Sequence, residues 1–325
     1  MSALQQEVRE MLRQQLLTWD LAAANHQALE DVRIKEFDLS GIKIKVQFNP
    51  ARIVSSAAKV DSHSLKQRKC FLCPAHLPEN QLHVSFKEYW ILCNPYPIFR
   101  EHLTIPAVSH TPQEIRTRIN DLLLLARELP DFTLFYNGPR CGASAPDHAH
   151  FQAAPFGIMP IDNDIRPFLH LAYQEENCKL FLLTHYLRNG LVIESDSEDQ
   201  AIRLFHAICQ SAKTNPEETE PMMNLFVHFQ ESAWRLILIP RKKHRPWQYE
   251  AHNEQHFLSS PGAADIGGLF ITVRQEDFER VNENLLRNIF EQVCLSDNET
   301  NELFQKFVRS KKNHYLCKQK LSSSK

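Results

Sequence analysis

The run Asn137-Gly138-Pro139-Arg140-Cys141-Gly142-Ala143-Ser144-Ala145-Pro146-Asp147-His148-Ala149-His150-Phe151-Gln152 decides how this chain is read. Its second part predicts a strand. Successive side chains on a strand alternate faces, so His148, His150 and Gln152 point to one side while Ala149 and Phe151 point to the other. Its first part is a glycine-punctuated loop. Asn137, Gly138, Gly142 and Ser144 supply small or polar side chains and permissive backbone, which suit main-chain amides that approach phosphate oxygens closely.

Working upstream, the text predicts a strand at Thr133 to Tyr136 and a helix from Pro112 to Leu129, with Thr111 as its N-cap and Pro112 at its first position. Strands at Tyr89 to Cys93 and His102 to Ile105 flank a turn at Asn94-Pro95-Tyr96-Pro97. The alternation Ile42-Lys43-Ile44-Lys45-Val46-Gln47-Phe48 marks a strand or hairpin between Ile34 and Ile53, and residues 1 to 30 read as an amphipathic packing helix. Downstream, residues 160 to 215 read as mainly helical. Ile105-Pro106 and Ile239-Pro240 each follow a hydrophobic run and precede a histidine, His110 and His244, at the same spacing. Either chance or two related modules explains that match. The layout expected is an N-terminal helix (1–33), a catalytic module (34–160), a helical connection (161–215), a second, degenerate module (216–305) and a basic tail (306–325). Beyond Glu302 there are seven Lys or Arg and no acid, the mark of a solvated, frayed end.

The 325 residues exceed the usual size of one domain, and a 43% hydrophobic fraction is ample for a core. A formal net charge of −2 provides no global positive field, which argues against nucleic acid as a partner. No run approaches the roughly 18 apolar residues of a membrane span, and the first residues have no apolar signal-peptide segment, so a cytoplasmic protein without membrane contact is expected. Eight cysteines, scattered except for Cys70 and Cys73, do not resemble a secreted disulfide framework.

Cys70-Phe71-Leu72-Cys73 places two thiols at the spacing of a zinc knuckle and leaves two ligands to find. His110 and His148 are the candidates, and a Cys2His2 set drawn from such separated segments has a structural role. Two unconnected core cysteines are the plainer alternative; a redox dithiol fits less well, because the pair does not open a helix after a strand. Of the strand histidines, His150 is the candidate nucleophile, since a neutral imidazole can attack phosphorus and split one displacement into two. Gln152 stays neutral and can donate to a phosphoryl oxygen without moving a proton.

The order Cys70-Phe71-Leu72-Cys73, Cys93-Asn94-Pro95-Tyr96-Pro97, Glu101-His102-Leu103-Thr104-Ile105-Pro106, His110 and then Asn137 through Gln152 resembles the histidine-triad superfamily, in its transferase branch. That branch includes galactose-1-phosphate uridylyltransferase, dinucleoside tetraphosphate phosphorylase and the GDP-hexose phosphorylases, and it ends the motif in Gln where the hydrolases have a third histidine. Ser259 through Gly268 resembles a segment of the GDP-hexose phosphorylases. The Cys70-Phe71-Leu72-Cys73 and Gly142-Ala143-Ser144-Ala145-Pro146-Asp147-His148 signatures also resemble those of an uncharacterised bacterial family, a resemblance that implies fold and chemistry but no substrate. The resemblance implies that His150 receives a nucleotidyl group, that Gln152 holds its phosphate, that Asn137 and Ser144 line the phosphate pocket, and that zinc sits on Cys70, Cys73, His110 and His148. The serine lies one residue nearer the asparagine than in the uridylyltransferases. Ala149 and Phe151 replace the proline and glycine of their signature, which weakens a specific link to galactose metabolism.

The fold expected is α+β, with two histidine-triad-like halves of antiparallel sheet packed by helices. The function expected is nucleotidyl transfer or phosphorolysis. A nucleoside diphosphate sugar or dinucleoside polyphosphate donates to His150, and inorganic phosphate or a sugar phosphate accepts. A histidine-triad hydrolase and a non-catalytic zinc-containing binding module remain as rivals, and a homodimer remains open. Gly142, Arg140, Arg52 and Arg241, the last in the run Arg241-Lys242-Lys243-His244-Arg245, are further candidates for contact with the anionic substrate, a solvated charge run being the alternative for the basic ones.

Overall fold

In the computed structural model, residues 2–53, 62–214 and 218–322 are described. Two helices, Ala3–Thr18 and Asp20–Gln27, precede a hairpin of β1 (Arg33–Asp38) and β2 (Lys43–Phe48). The next unit contains β3 (His83–Phe86), β4 (Tyr89–Cys93), β5 (Leu103–Pro106), the helix Ile119–Glu128, β6 (Phe132–Asn137) and β7 (His150–Pro155). The chain then repeats that plan with β8 (Leu169–Glu175), β9 (Cys178–Leu183), β10 (Gly190–Ser195), the helix Glu198–Ser211, β11 (Met223–Gln230) and β12 (Ala233–Pro240). The spatial order is β3-β4-β5-β7-β6 in the first unit and β8-β9-β10-β12-β11 in the second. β6 and β11 pair antiparallel, with Asn137 opposite Asn224, and join the units into one ten-stranded sheet.

Both faces of this sheet are covered, which explains why Phe132-Thr-Leu-Phe-Tyr-Asn137 is buried throughout and reads as a continuous run instead of an alternation. On one face Phe151, Ala153, Leu134 and Tyr136 meet the apolar sides of the helices Ala3–Thr18, Ile119–Glu128 and Glu198–Ser211. On the other, Phe135, Ala154, Phe226 and Ile237 meet β2 and the C-terminal segment, whose β13 (Leu269–Thr272) pairs parallel with β2. Each fully buried Leu or Phe contributes about 1.5–3 kcal/mol. The returning C-terminal segment brings residues 258–265 close to the start of β7 and the end of β6.

The expected α+β fold with two antiparallel halves is observed, but the second half starts earlier than the sequence suggested. Residues 160 to 215 are not mainly helical: they hold β8, β9 and β10 before their helix. β8 is an edge strand, and a register shift between Leu171 and Tyr173 breaks the period of two that would have revealed it. The Ile-Pro-x-x-x-His match is likewise not a repeat equivalence, because Ile105-Pro106 ends the third strand of its unit and Ile239-Pro240 the fifth. The helix expected from Pro112 begins at Ile119, since residues 111–113 are used as a tether: Thr111 O accepts from Ala149 N at 2.7 Å. The tail from 306 continues the helix Asp297–Ser322; Phe307 is fully buried, and Lys311 pairs with Glu175 at 3.4 Å.

Candidate active site

A cavity of about 490 Å³ opens where the two halves meet. His150 and Gln152 line it from β7, Asn137 from the end of β6, and Gly142, Ala143 and Ser144 from the loop between them. Arg52 reaches it from the segment after β2. His244, Arg245, Ser259, Ser260 and Asp265 come from the second half.

His150 sits at the first residue of its strand because Gln113 holds both ends of the loop. Gln113 Oε1 accepts from His150 N at 2.7 Å, while Nε2 donates to Asn137 O and His150 O at 2.9 and 3.0 Å. His150 Nδ1 lies 2.8 Å from the carbonyl oxygen of His148. A carbonyl only accepts, so Nδ1 carries the proton and Nε2 keeps its lone pair. Nε2 has no hydrogen-bond partner among the described residues. Burial pushes the pKa of His150 down to about 4, and the imidazole is neutral at pH 7.

The two carboxamides are each fixed through their oxygen. Ile98 N donates to His102 Nδ1 at 3.2 Å, so His102 Nε2 bears the proton and donates to Gln152 Oε1 at 2.9 Å. His102 itself is held neutral, its pKa pushed down to about 3 by burial, with Arg52 acting in the same direction. Asn137 Oδ1 accepts from Ala263 N at 2.6 Å and Asn224 Nδ2 at 2.9 Å. Both amide nitrogens are without a partner among the described residues, which leaves two neutral donors at the cavity wall. Such donors, together with main-chain N–H groups, suit an anion that develops no proton demand.

Arg52 donates to Tyr96 O; burial lowers its pKa to about 10, opposed by Asp265, and it remains charged at neutral pH. Asp265 accepts from Gly262 N and Ile271 N at 2.9 and 2.8 Å, and burial raises its pKa to about 6. Trp19, Leu21, Phe71, Leu77 and Pro95 form an apolar wall.

Cys70, Cys73, His110 and His148 form a group that could hold a metal ion. Cys70 Sγ and Cys73 Sγ lie 3.3 and 3.6 Å from His148 Nδ1, Cys73 Sγ lies 3.2 Å from His110 Nδ1, and the two Nδ1 atoms are 3.2 Å apart. A tetrahedron with zinc bond lengths of about 2.0–2.3 Å has ligand-to-ligand edges of about 3.3–3.8 Å, so the donor set fits. The outer nitrogen of His148 donates to Ala107 O at 2.7 Å, which fixes the tautomer with Nδ1 turned to the cluster.

The structure therefore brings His150, Gln152, Asn137, Gly142, Ser144 and Arg52 to one cavity and gathers the four cluster residues beside it. Two expectations take a different form. His148 precedes the strand, whose regular pairing starts at His150, and does not line the cavity. Arg140 and Arg241 do not line it either: Arg140 pairs with Glu218 at 3.0 Å, and buried Arg241 spends its donors on Asn224 Oδ1 and on the carbonyls of Pro261, Val293, Lys243 and His244. Sequence reading missed Gln113, the orienting bond from His102, the contribution of Trp19, and Asp265. Two of these had a signal: His102 its place in the Glu101-His102-Leu103 motif, and Asp265 its place in the Ser259 to Gly268 segment. Among the described residues, no helix is long and apolar enough to cross a membrane.

Residues 11–155 match the family described as a domain of unknown function, DUF4922, and residues 164–313 match the GDPGP1-like C-terminal domain. No curated protein matches the chain in sequence. Among solved structures, yeast Ap4A phosphorylase Apa2 superposes with a TM-score of 0.56 at 16% identity, covering 91% of this chain and 98% of that one. The same yeast enzyme in complex with Ap4A gives 0.61 at 16% identity, over 89% and 98%. In complex with AMP it gives 0.51 at 16% identity, over 87% and 95%. The resemblance read from the sequence is thus borne out in the fold.

Proposed function

We propose that this chain, which has the fold of the histidine-triad transferase branch, is a nucleotidyltransferase or phosphorylase that works through a nucleotidyl group held covalently on His150. The observation that carries this reading is the bond from His150 Nδ1 to the His148 carbonyl, which turns an unprotonated Nε2 toward a cavity walled by amide donors. The lone pair of Nε2 attacks the α-phosphorus of a nucleoside diphosphate sugar or dinucleoside polyphosphate. The bond to the bridging oxygen breaks, and the leaving phosphate takes that electron pair. The imidazole keeps its Nδ1 proton, and the His148 carbonyl stabilises the positive charge that develops. A phosphate monoester is stable as an anion, so no general acid is required, consistent with Gln152 where a proton donor would otherwise stand. Inorganic phosphate or a sugar phosphate then attacks the same phosphorus and returns the pair to Nε2.

Zinc is the metal we assign to Cys70, Cys73, His110 and His148, on the grounds of the mixed thiolate and imidazole donors and the tetrahedral edges. Bound there, it supplies a structural cross-link between the segment before β3 and the loop leading to His150.

Intact-protein mass spectrometry tests the mechanism. Wild type and His150→Ala are incubated separately with UDP-glucose, GDP-glucose, ADP-glucose and diadenosine tetraphosphate, without acid in the workup. A mass gain of one nucleoside monophosphate in the wild type alone, discharged by phosphate, is expected. Nucleotide turnover that persists in His150→Ala would overturn the covalent route.

A further inference from the structure

Arg245 reaches the cavity with its guanidinium already held in place. Its Nε donates to Ser260 Oγ at 3.0 Å, and its plane lies over Tyr249, 4.0 Å from the ring centroid. Neither terminal nitrogen has a hydrogen-bond partner, nor does a carboxylate pair with it, among the described residues. It differs in this from Arg241, whose donors are spent on the fold, and from Arg140, which pairs with Glu218 outside the cavity. Ser260 Oγ accepts from Arg245, so its own proton is free to be donated, and the buried Ser259 hydroxyl has no partner among the described residues. A guanidinium fork with its stem restrained and its outer N–H groups unspent is preorganised for a phosphate, which it can meet with two parallel bonds.

We propose that Arg245, with the hydroxyls of Ser259 and Ser260, forms the subsite for the phosphate that leaves in the first half-reaction and for the phosphate that attacks in the second. This rests on the double displacement proposed above. Leaving group and acceptor are the same chemical species, a phosphate or its monoester, and each must lie opposite His150 Nε2 across the phosphorus, so one anion subsite serves both. In the first step the P–O bond breaks and the pair goes to the oxygen of the phosphate held by Arg245. In the second an oxygen of a phosphate in that place forms the new P–O bond while the P–N bond returns its pair to His150. The local field agrees: besides burial, Arg245, Arg241 and Arg140 all push the pKa of His244 down, toward about 4. Positive charge from three guanidinium groups is thus felt at His244, with Arg245 alone of the three lining the cavity, whereas Asp265, whose carboxylate would repel an anion, lies by Arg52.

The test has two arms, using the full chain with its metal. Inorganic phosphate and, separately, glucose 1-phosphate are titrated into wild type, Arg245→Met and Arg245→Lys by calorimetry, with circular dichroism confirming the fold. At least tenfold weaker binding is expected in Arg245→Met, with partial recovery in Arg245→Lys. Tighter binding of one titrant than the other tells a free phosphate acceptor from a sugar phosphate. In the second arm the His150 adduct is formed first, and the phosphate concentration for half-maximal discharge is measured; it should rise at least tenfold in Arg245→Met. Unchanged phosphate binding in folded Arg245→Met overturns the subsite. Absence of any adduct in the wild type overturns the covalent reading instead, and the binding arm still decides the role of Arg245.

Discussion

Gly142 and Gly262 meet backbone to backbone at the seam between the halves: a Cβ on Gly142 would lie 2.3 Å from Gly262 Cα. Gly142 also has φ +92, which a side chain makes costly. The glycine that sequence reading took as a phosphate-loop residue is therefore also the contact that lets the second half close over the first.

Gly142→Ala should lower stability by about 3 kcal/mol, combining left-handed strain with a backbone collision that nothing flexible can relieve. Gly262→Ala has ordinary backbone, and its Cβ would lie 3.3 Å from Asn137 Oδ1, which Ala263 N and Asn224 Nδ2 hold. That variant should unfold near the wild-type denaturant midpoint yet form the His150 adduct at least tenfold more slowly. Urea titration and adduct kinetics separate the two effects. A Gly142→Ala protein as stable as wild type would refute the close approach.

In the proposed mechanism His102 would act on the reaction through Gln152, whose Oε1 it holds at 2.9 Å. His102→Phe keeps an aromatic ring beside Phe99 and Phe135 but removes the proton that fixes Gln152 Oε1, so the amide loses its orientation. Adduct formation should slow by about 10–100-fold with little change in donor binding. Gln152→Glu keeps an acceptor for His102 yet turns a carboxylate oxygen toward the phosphoryl group, and it should be the slower of the two. With the pKa of His102 near 3, this ring contributes no inflection to the rate between pH 5 and 9. Single-turnover kinetics of both variants, with His102→Phe faster, are the expected result.

The cavity residues that are close in sequence were legible: a period of two and a glycine loop pointed to His150, Gln152, Asn137 and Ser144, although the same period also put His148 on that face, and Cys-x-x-Cys spacing supplied two of the four residues that could hold a metal. Residues that reach the cavity from elsewhere were not. Arg241 and Arg245 are the same residue type in one basic run, and only tertiary packing makes the first a brace and the second an unspent donor. Gln113 was hidden because the pattern around it favours a helix, while the demand for a clamp on His150 comes from a strand 37 positions away. The second half was misplaced by some 50 residues because its first strand lies at a sheet edge and carries a bulge, so neither burial nor alternation marks it.

Metal removal should cost stability and activity together. The Cys70–Cys73 turn carries Phe71 and Leu72, which line the cavity, so releasing it disturbs the cavity wall as well as the cross-link. Cys73→Ser, or treatment with a strong chelator, should abolish a content of one zinc per chain and lower the unfolding free energy by several kcal/mol. Zinc should restore the chelated wild type, and magnesium should not, because thiolate and imidazole donors disfavour it. Elemental analysis alongside thermal unfolding checks both; a zinc-free protein with unchanged Tm would refute the structural role.

His228 offers a pH-dependent test away from the cavity. It is buried beside Phe156, both ring nitrogens lack partners among the described residues, and burial, with Arg235 acting in the same sense, holds its pKa down near 3. Its ordinary value is 6.5, so the unfolded chain takes up a proton that the folded one refuses. The stability associated with a neutral ring is fully present above pH 6.5 and is lost progressively as pH falls toward 3, amounting to about 2 kcal/mol at pH 5. His228→Leu removes that liability together with two unsatisfied polar atoms. It should be more stable than wild type at pH 8, by about 1–3 kcal/mol, and further ahead at pH 5. Denaturant midpoints at the two pH values decide the matter: an advantage that fails to widen on acidification means that the ring is protonated, or hydrated, in the folded protein.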